Sequence, residues 1–363
     1  MKINNLKNKL SKLSSSVLTR AVGVALLILI NSQPINADEK AETIFKAGDT
    51  SLQKWLLADK PPIPKHNYPN QARIELGKKL FFDPRISRDG NMSCSTCHSP
   101  MFGWGDGLPL GVGYKGVILG RASPVITNTA YNFVQMWDGR KRDLEDQATG
   151  PMEASLEMNT DMHAMTRLFT NSGYRTLFEQ AYPGEKIGSA TAAKALASFE
   201  WTIISNNSPF DHWVRGDDSA MTKQQINGFK LFVDADKGNC SICHAAPNFT
   251  DDGFHNIGLK AYSEKNPDMG RYGQKPIKVL KGAFKTPTLR DITLSAPYFH
   301  NGEVNTLMQV MEHYNTGGTT KKDLSPNMKS LNLSKQEMQD IIAFMQALTT
   351  PPEPFIFPVL PLD

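Results

Sequence analysis

The chain has 363 residues, of which 40% are hydrophobic and 21% charged, and its formal net charge is +4. This length is enough for two domains with separate cores, because a single core stops growing near roughly 250 to 300 residues. A charge this small, spread along the chain, gives no electrostatic case for nucleic acid or an acidic surface as a partner.

The N-terminus has the pattern of an export signal. Lysines precede an apolar run at residues 21–30, and small or polar residues follow as far as Ala37. We expect residues 1–37 to be a signal peptide that is cleaved near Ala37, which would place the protein in the periplasm. An uncleaved anchor is the alternative, although the run is about half of the ~20 residues that a spanning helix needs. No other stretch is apolar enough to span a membrane.

Two Cys-x-x-Cys-His motifs follow, at residues 94–98 and 240–244, and they contain all four cysteines. In such a motif the two thiols form thioether bonds to a haem while the adjacent histidine binds the iron. A zinc site would need a fourth ligand, and a redox-active Cys-x-x-Cys motif does not require the histidine. The chain is therefore predicted to carry two covalently bound haem c groups. The predicted attachment residues are Cys94, Cys97 and His98 for the first haem and Cys240, Cys243 and His244 for the second.

Apolar residues at helical spacing recur around the motifs. Residues 190–204 and 335–348 both predict amphipathic helices, and Ser334 with Glu337 predicts a capping box at the start of the second. Segments rich in glycine and proline separate the helical stretches, and no regular β pattern is present. We expect a mainly α fold of two duplicated cytochrome c-like haem domains, with long loops and little β structure.

The helical pattern is interrupted near residues 206–219, and we place a domain boundary there. The first haem domain is expected at residues 38–210 and the second at residues 211–345. Residues 346–363 are apolar but contain several prolines. They are expected to form an extended tail that packs back on the N-terminal domain.

Several short segments outside the haem motifs form an ordered series along the chain. They are GKKLFFDPRIS at 77–87, WDGR at 137–140, QATGP at 147–151, EM at 157–158, NSPFD at 207–211, FKTPTLR at 284–290 and APYFHNG at 296–302. Their order and spacing resemble those of the bacterial di-haem cytochrome c peroxidase family, which includes the MauG-like enzymes. The resemblance covers nearly the whole chain after residue 37 and implies a peroxidase-type oxidoreductase that reacts with hydrogen peroxide.

The resemblance also implies roles for individual residues. In that family the first haem reacts with peroxide, the second stores or relays electrons, and a tryptophan lies between them; Trp137 is at the matching place. Glu157 matches the acid/base carboxylate of the first haem pocket, and Gln147 and Pro151 would line the same pocket. By residue type alone, a tryptophan is more often a core residue and a glutamate more often a solvated surface charge.

Two departures from the classical peroxidases concern the sixth iron ligands. In the classical peroxidases, a histidine of one loop is the sixth ligand of the first haem. The corresponding loop here, residues 111–116, has Tyr114 near that place, which implies an open first haem as in MauG. Ligation of the iron by Tyr114 is the alternative. The sixth ligand of the second haem falls at Tyr314, where classical peroxidases have methionine and MauG has tyrosine. Met311, three residues earlier on the same helical face, is the rival ligand.

The structural calcium of the family is only partly matched. Its side-chain ligand is an asparagine, and the corresponding residue here is Ala122, which leaves Ser295 and Pro297 as candidate ligands through their carbonyls, with water. Calcium binding is therefore left open. The remaining histidines are expected to be surface or supporting groups and not iron ligands: His66, His163, His212, His255, His300 and His313.

The sixth ligand of the second haem separates the candidate functions. An anionic phenolate from Tyr314 favours oxidised iron, whereas a thioether from Met311 favours reduced iron. The first points to a MauG-like enzyme that uses peroxide and high-valent haem iron to oxidise Trp or Tyr side chains of a partner protein. The second points to a peroxidase that takes electrons from a small cytochrome. A non-catalytic electron carrier or sensor is the third alternative, if the first haem has no open position.

Overall fold

Helices joined by long loops make up residues 45–362, the part of the chain that this computed structural model describes. The predicted signal peptide and its cleavage site at Ala37 lie outside the described residues. The helices are α1 (Gln71–Phe82), α2 (Cys94–Cys97), α3 (Leu144–Glu153), α4 (Met162–Asn171), α5 (Tyr174–Ala181), α6 (Ser189–Glu200), α7 (Pro209–Val214), α8 (Lys223–Val233), α9 (Leu307–Asn315) and α10 (Lys335–Ala347). Strands β1 (Phe254–His255) and β2 (Phe284–Lys285) pair antiparallel. The expected mainly α fold with little β structure is confirmed, and no helix within residues 45–362 is long and apolar enough to cross a membrane.

Both helices predicted from apolar spacing are present, with small differences at their ends. α10 begins with the predicted capping box, because the Ser334 hydroxyl accepts from Glu337 N–H (3.2 Å) and the Glu337 carboxylate accepts from Ser334 N–H (2.8 Å). α6 ends at Glu200, four residues before the predicted end. The chain turns more tightly there, and Ile203 N–H donates to the Glu200 carbonyl at 3.0 Å.

The first core lies between α1 and α6. Gly77 permits their close contact, because a β-carbon at that residue would lie 1.9 Å from the Ala195 carbonyl oxygen. The first haem motif adjoins this core, since Cys94 packs against it. Side chains buried in the first core include Leu76, Leu80, Phe81, Leu196 and Phe199.

The second core is centred on α8 and α10 and is rich in aromatic side chains. Trp55 stacks on Phe249, with ring centroids 4.9 Å apart and an angle of 28° between the ring planes. Trp55 precedes α1, so the start of the described chain belongs to the second core. Other aromatic members are Phe210, Trp213, Phe229, Phe232 and Phe344.

The last segment, after α10, contains neither helix nor strand up to residue 362. The ring of Phe355 lies 5.3 Å from that of Phe82 and 5.4 Å from that of Trp104, both in the first half of the chain. The start of the described chain thus packs in the second core, and the last segment packs on the first, so the two halves exchange their terminal segments. The domain limits 38–210, 211–345 and 346–363 stay predictions. Hydrogen bonds to the tail carbonyls run from Lys79 Nζ to Val359 (2.6 Å), from Arg85 Nη2 to Pro361 (2.8 Å) and from Gly173 N to Leu362 (3.2 Å).

A fully buried ion pair connects three segments that are far apart in the sequence. Arg290 donates to both carboxylate oxygens of Asp211, at 2.9 Å and 3.0 Å, and neither side chain is exposed. Arg290 Nη2 also donates to the Trp55 carbonyl at 3.2 Å. Burial opposes ionisation of Asp211, but Arg290 and Ser208 outweigh it and hold the pKa of that carboxyl below its usual range. The pair joins α7 to the loop before α9 and to the segment before α1.

Candidate functional site

The first Cys-x-x-Cys-His motif forms the single turn of α2. His98 N–H donates to the Cys94 carbonyl at 3.0 Å and closes the turn, while Cys94 and Cys97, three residues apart, lie on one face of it. His98 Nδ1 donates to the Trp104 carbonyl at 3.4 Å, which leaves Nε2 available. A histidine held in this way through its other ring nitrogen fits an iron ligand, and two thiols on one face fit the attachment of a haem.

A cavity of about 660 Å³ opens on this motif and is lined by Cys94, Cys97 and His98. We call it the first pocket. Its volume lies in the range of small-molecule and cofactor sites. The fold brings all the residues implied for the peroxide reaction to the same pocket: Trp137, Gln147, Pro151 and Glu157.

Glu157 lies in the turn that follows α3, and its N–H donates to the Ala154 carbonyl at 3.0 Å. Burial raises the pKa of its carboxyl, an effect that the Arg140 guanidinium partly offsets. A carboxyl group with a raised pKa in a pocket exchanges protons more readily near neutral pH than an exposed one. The electrostatics of Glu157 therefore suit an acid/base group.

The loop at residues 111–116 packs directly on the Glu157 turn. Gly113 has no room for a side chain, since a β-carbon there would lie 1.9 Å from the Leu156 carbonyl oxygen. Tyr114 N–H donates to the same carbonyl at 3.0 Å, but the Tyr114 hydroxyl donates to Asp89 at 3.3 Å. Tyr114 is not among the residues that line the first pocket. The structure does not bring this phenol to the first haem motif.

Trp137 is shared by the cavities around both motifs. It lines the first pocket, the cavity at the second motif and a smaller cavity between them. Its indole N–H donates to the Ala122 carbonyl at 2.9 Å, which fixes the ring. The next residue, Asp138, accepts from Arg121 at 2.8 Å and from Arg140 at 3.0 Å. Hydrogen bonds and ion pairs thus hold the Trp-Asp-Gly-Arg segment where it borders the cavities of both motifs.

The second motif begins with the short 3₁₀ turn Cys240–Ile242. His244 Nδ1 donates to the Phe249 carbonyl at 3.0 Å, which leaves Nε2 available as in the first motif. A cavity of about 180 Å³ is lined by Cys240, Cys243 and His244 and also by both candidate sixth ligands. We call it the second pocket. Its donor set fits a second haem.

Met311 and Tyr314 differ in their surroundings although both belong to α9. Met311 is 3% exposed and is a member of the second core. The Tyr314 phenol forms no hydrogen bond with any of the residues 45–362. Burial and the neighbouring cysteines raise the pKa of Tyr314. The Tyr314 side chain is only partly buried and lines the second pocket without a protein partner, so its phenol oxygen is available to bind a ligand there.

The calcium site implied by the resemblance has a poor donor set. Ser295 and Pro297 line the smaller cavity beside Ala122, which has no side-chain oxygen, and the Ser295 hydroxyl donates to the Ile292 carbonyl at 3.1 Å. The one carboxylate among the residues lining that cavity is Glu200. Calcium prefers six to eight oxygen ligands, several of them carboxylates. With only the Ser295 and Pro297 carbonyls implied as protein ligands, water would have to supply most of the coordination sphere, which predicts weak calcium binding.

Removing calcium is therefore expected to leave the protein unchanged. Dialysis against a calcium chelator should not alter the absorption spectrum of the oxidised protein, and adding back calcium should not alter it either. Calorimetric titration of the dialysed protein with calcium measures this directly. A saturable heat of binding with a spectral change would contradict the expectation.

Two features of the site were not predicted from the sequence. Glu200 lies at the end of a helix that was predicted as amphipathic, where a glutamate is usually exposed, yet it lines the first pocket. The sequence signal for the burial of Glu200 was its pair of large apolar neighbours, Phe199 and Trp201. The second feature is His255, which donates to the Asp251 carboxylate at 2.8 Å beside Cys243. Within the described residues, these three form the one group of His, Cys and acidic side chains close enough together to bind a metal ion.

Comparison with known proteins agrees with this geometry. Residues 71–219 match the family model described as di-haem cytochrome c peroxidase, and residues 225–349 match the one described as cytochrome c. The methylamine utilization protein MauG of Methylophilus methylotrophus is 40% identical over 311 residues, which cover 85% of this chain and 91% of that protein. The cytochrome c551 peroxidase of Pseudomonas aeruginosa is 34% identical, with 80% of this chain and 83% of that protein covered.

Among solved structures, a MauG-like protein associated with microbial copper homeostasis is similar to this chain. Its TM-score is 0.76 at 27% sequence identity, and the match covers 83% of this chain and 95% of that one. These comparisons confirm the family resemblance and, with it, two haem c groups and a peroxidase-type oxidoreductase. The chain belongs to the di-haem cytochrome c peroxidase family, which includes MauG.

Proposed function

We propose that the protein is a periplasmic, MauG-like enzyme that uses hydrogen peroxide to oxidise Trp or Tyr side chains of a partner protein. The observation that carries the proposal is the unpaired Tyr314 phenol in the second pocket. The placement of the Tyr114 hydroxyl on Asp89 supports an open first haem. The export pattern of residues 1–37 supports the periplasmic location.

The two motifs would hold the haems. When bound, the two irons supply the reaction with peroxide and the storage of oxidising equivalents. Tyr314 as sixth ligand would close the second haem to peroxide, which leaves the reaction to the first pocket. The proposed ligands are Cys94, Cys97 and His98 for the first haem and Cys240, Cys243, His244 and Tyr314 for the second.

Glu157 moves the proton on which peroxide cleavage depends. Its carboxylate takes a proton from one peroxide oxygen and passes it to the other, which then leaves as water. Gln147, one helical turn before Pro151, offers an amide that can orient the peroxide. Pro151 has no N–H to donate to the Gln147 carbonyl, four residues earlier, so α3 lacks one backbone hydrogen bond beside the pocket.

Trp137 provides the connection between the two haem sites. It lines both pockets, and its hydrogen bond to Ala122 holds the indole in one orientation. An aromatic ring shared by both cavities shortens the path for an electron that leaves the second site for the first. This arrangement supports the use of both haems in one oxidation of a distant substrate.

A second candidate function is cytochrome c peroxidase activity with electrons from a small cytochrome. It is favoured by the position of Met311, which lines the same pocket as Tyr314. The peroxide reaction of the first pocket would be the same. The two functions differ in the sixth ligand of the second haem and in the source of the electrons.

Electron paramagnetic resonance of the oxidised protein separates the two candidates. We expect one high-spin and one low-spin iron, with the low-spin signal altered by Tyr314→Phe, because the phenolate is lost, and unchanged by Met311→Leu. Peroxide should change the absorption spectrum of the oxidised protein without prior reduction. Tyr114→Phe is the matched control and should change neither signal. A low-spin signal that is lost in Met311→Leu and kept in Tyr314→Phe would instead establish the peroxidase.

A further inference from the structure

Glu200 is a buried carboxyl group to which the proposed reaction gives no role. It ends α6 between Phe199 and Trp201, and only 5% of the residue is exposed. It lines both the first pocket and the smaller cavity, which has a volume of about 120 Å³. No hydrogen bond or ion pair joins its carboxyl group to any part of the chain between residues 45 and 362.

Other polar groups in the smaller cavity also lack protein partners. The Thr127 hydroxyl is buried without a hydrogen bond, and the Tyr298 phenol forms none with the residues that the structure describes. Buried polar groups are normally bonded to protein or to ordered water. A water molecule needs roughly 10–15 Å³ of such space, so the smaller cavity has room for several. Glu200, Thr127 and Tyr298 therefore surround a space suited to a water cluster.

The charges around Glu200 favour a neutral acid. Lys285 lines the smaller cavity, but its ammonium group is bound to Asp252 at 2.8 Å and to the Thr286 carbonyl at 3.1 Å. The two guanidinium groups that line the first pocket are paired elsewhere, Arg121 with Asp138 and Asp268 and Arg140 with Asp138. The remaining titratable groups there, Cys94, Cys97, His98 and Glu157, form no ion pair with Glu200. Burial alone raises the pKa of Glu200 to about 8. An isolated carboxylate there would be costly, so the proton stays on Glu200 near neutral pH.

We propose that Glu200 is the proton-carrying carboxyl that supplies the first pocket from water in the smaller cavity. The proposal rests on the proposed peroxide reaction. Conversion of one peroxide to two water molecules takes up two electrons and two protons, and the partner protein supplies the electrons as its side chains are oxidised. Glu157 transfers a proton between the peroxide oxygens but is not a net source. Glu200 borders both spaces, so it can give a proton to the first pocket and regain one from the cluster.

The test is the variant Glu200→Gln, with Glu179→Gln as matched control because Glu179 is exposed on α5. In Glu200→Gln we expect turnover with peroxide and a reducing substrate to fall on the order of 10²-fold, as for loss of a positioned acid or base. The carbonyl infrared band of a buried carboxylic acid should disappear from Glu200→Gln and stay in the control. Cyanide affinity should be unchanged, because the first iron remains accessible.

Glu200→Asp keeps a carboxyl group and should be more active than Glu200→Gln. Parental turnover in Glu200→Gln would overturn the relay while leaving the peroxide reaction in place. Equal losses in both variants together with lost cyanide affinity would assign Glu200 a structural role and also overturn it. If the parent protein does not react with peroxide, the proposed function fails; a missing infrared band in that same parent protein would show separately that Glu200 carries no proton.

Discussion

Replacing Glu157 by Gln is expected to slow the reaction of the oxidised protein with hydrogen peroxide by roughly 10²–10⁴-fold. The amide keeps the size of the carboxyl group but cannot accept the peroxide proton. Stopped-flow absorption under single-turnover conditions measures this rate. Because the Glu157 carboxyl lines the first pocket with the thiols and His98, the loss should appear in this step and not in haem attachment.

The pH dependence of the same rate gives a second, independent expectation. Burial raises the pKa of Glu157, and the proton acceptor is the ionised form. The parental rate should therefore fall as the pH drops through this raised pKa, and Glu157→Gln should lack that decrease. Glu153→Gln, an exposed residue at the end of α3, is the control and should keep the parental profile. A parental rate in Glu157→Gln would remove this residue from the mechanism.

Replacing Arg290 by Met is expected to lower the free energy of unfolding by about 3–5 kcal/mol. The substitution leaves the Asp211 carboxylate buried without its partner and removes the hydrogen bond to the Trp55 carbonyl. Denaturant unfolding followed by tryptophan fluorescence and circular dichroism measures the change. Since the pair joins segments far apart in the sequence, the whole molecule should lose stability together.

The double variant Asp211→Leu/Arg290→Met is the control for this effect. It removes both charges, so no unpaired ion stays buried, and its loss should be clearly smaller than that of Arg290→Met alone. A double variant that is as unstable as the sum of the two single variants would show that packing, and not the unpaired charge, dominates. The exposed pair of Lys194 and Glu185 should contribute only about 0–1 kcal/mol.

Local features of the fold could be predicted from the sequence because their causes are local. The capping box of Ser334 and Glu337 depends on residues three apart, and apolar spacing marked both α6 and α10. The two haem motifs are likewise contiguous. The grouping of Glu157 with Cys94 is not local, and only the family resemblance predicted that both would border one pocket.

The features that escaped prediction depend on tertiary packing. The Tyr114 hydroxyl is bonded to Asp89 and not directed at the first haem motif, and no pattern in the loop identifies this partner. Burial of Glu200 depends on how α6 meets the first pocket, and helical periodicity alone places a glutamate on the outside. The position of Met311 in the second core likewise follows from packing, although its place on the helical face was evident.

The exchange of terminal segments has a consequence for biogenesis. Trp55, which is made early, is part of the second core, whereas Phe355, which is made late, packs on Phe82 and Trp104 of the first. The first half of the newly made chain therefore cannot reach its final packing until Phe355 has also been made. A chain interrupted after the first haem motif would leave the apolar surface around Phe82 and Trp104 uncovered. The first haem site would then lack the packing that the tail provides.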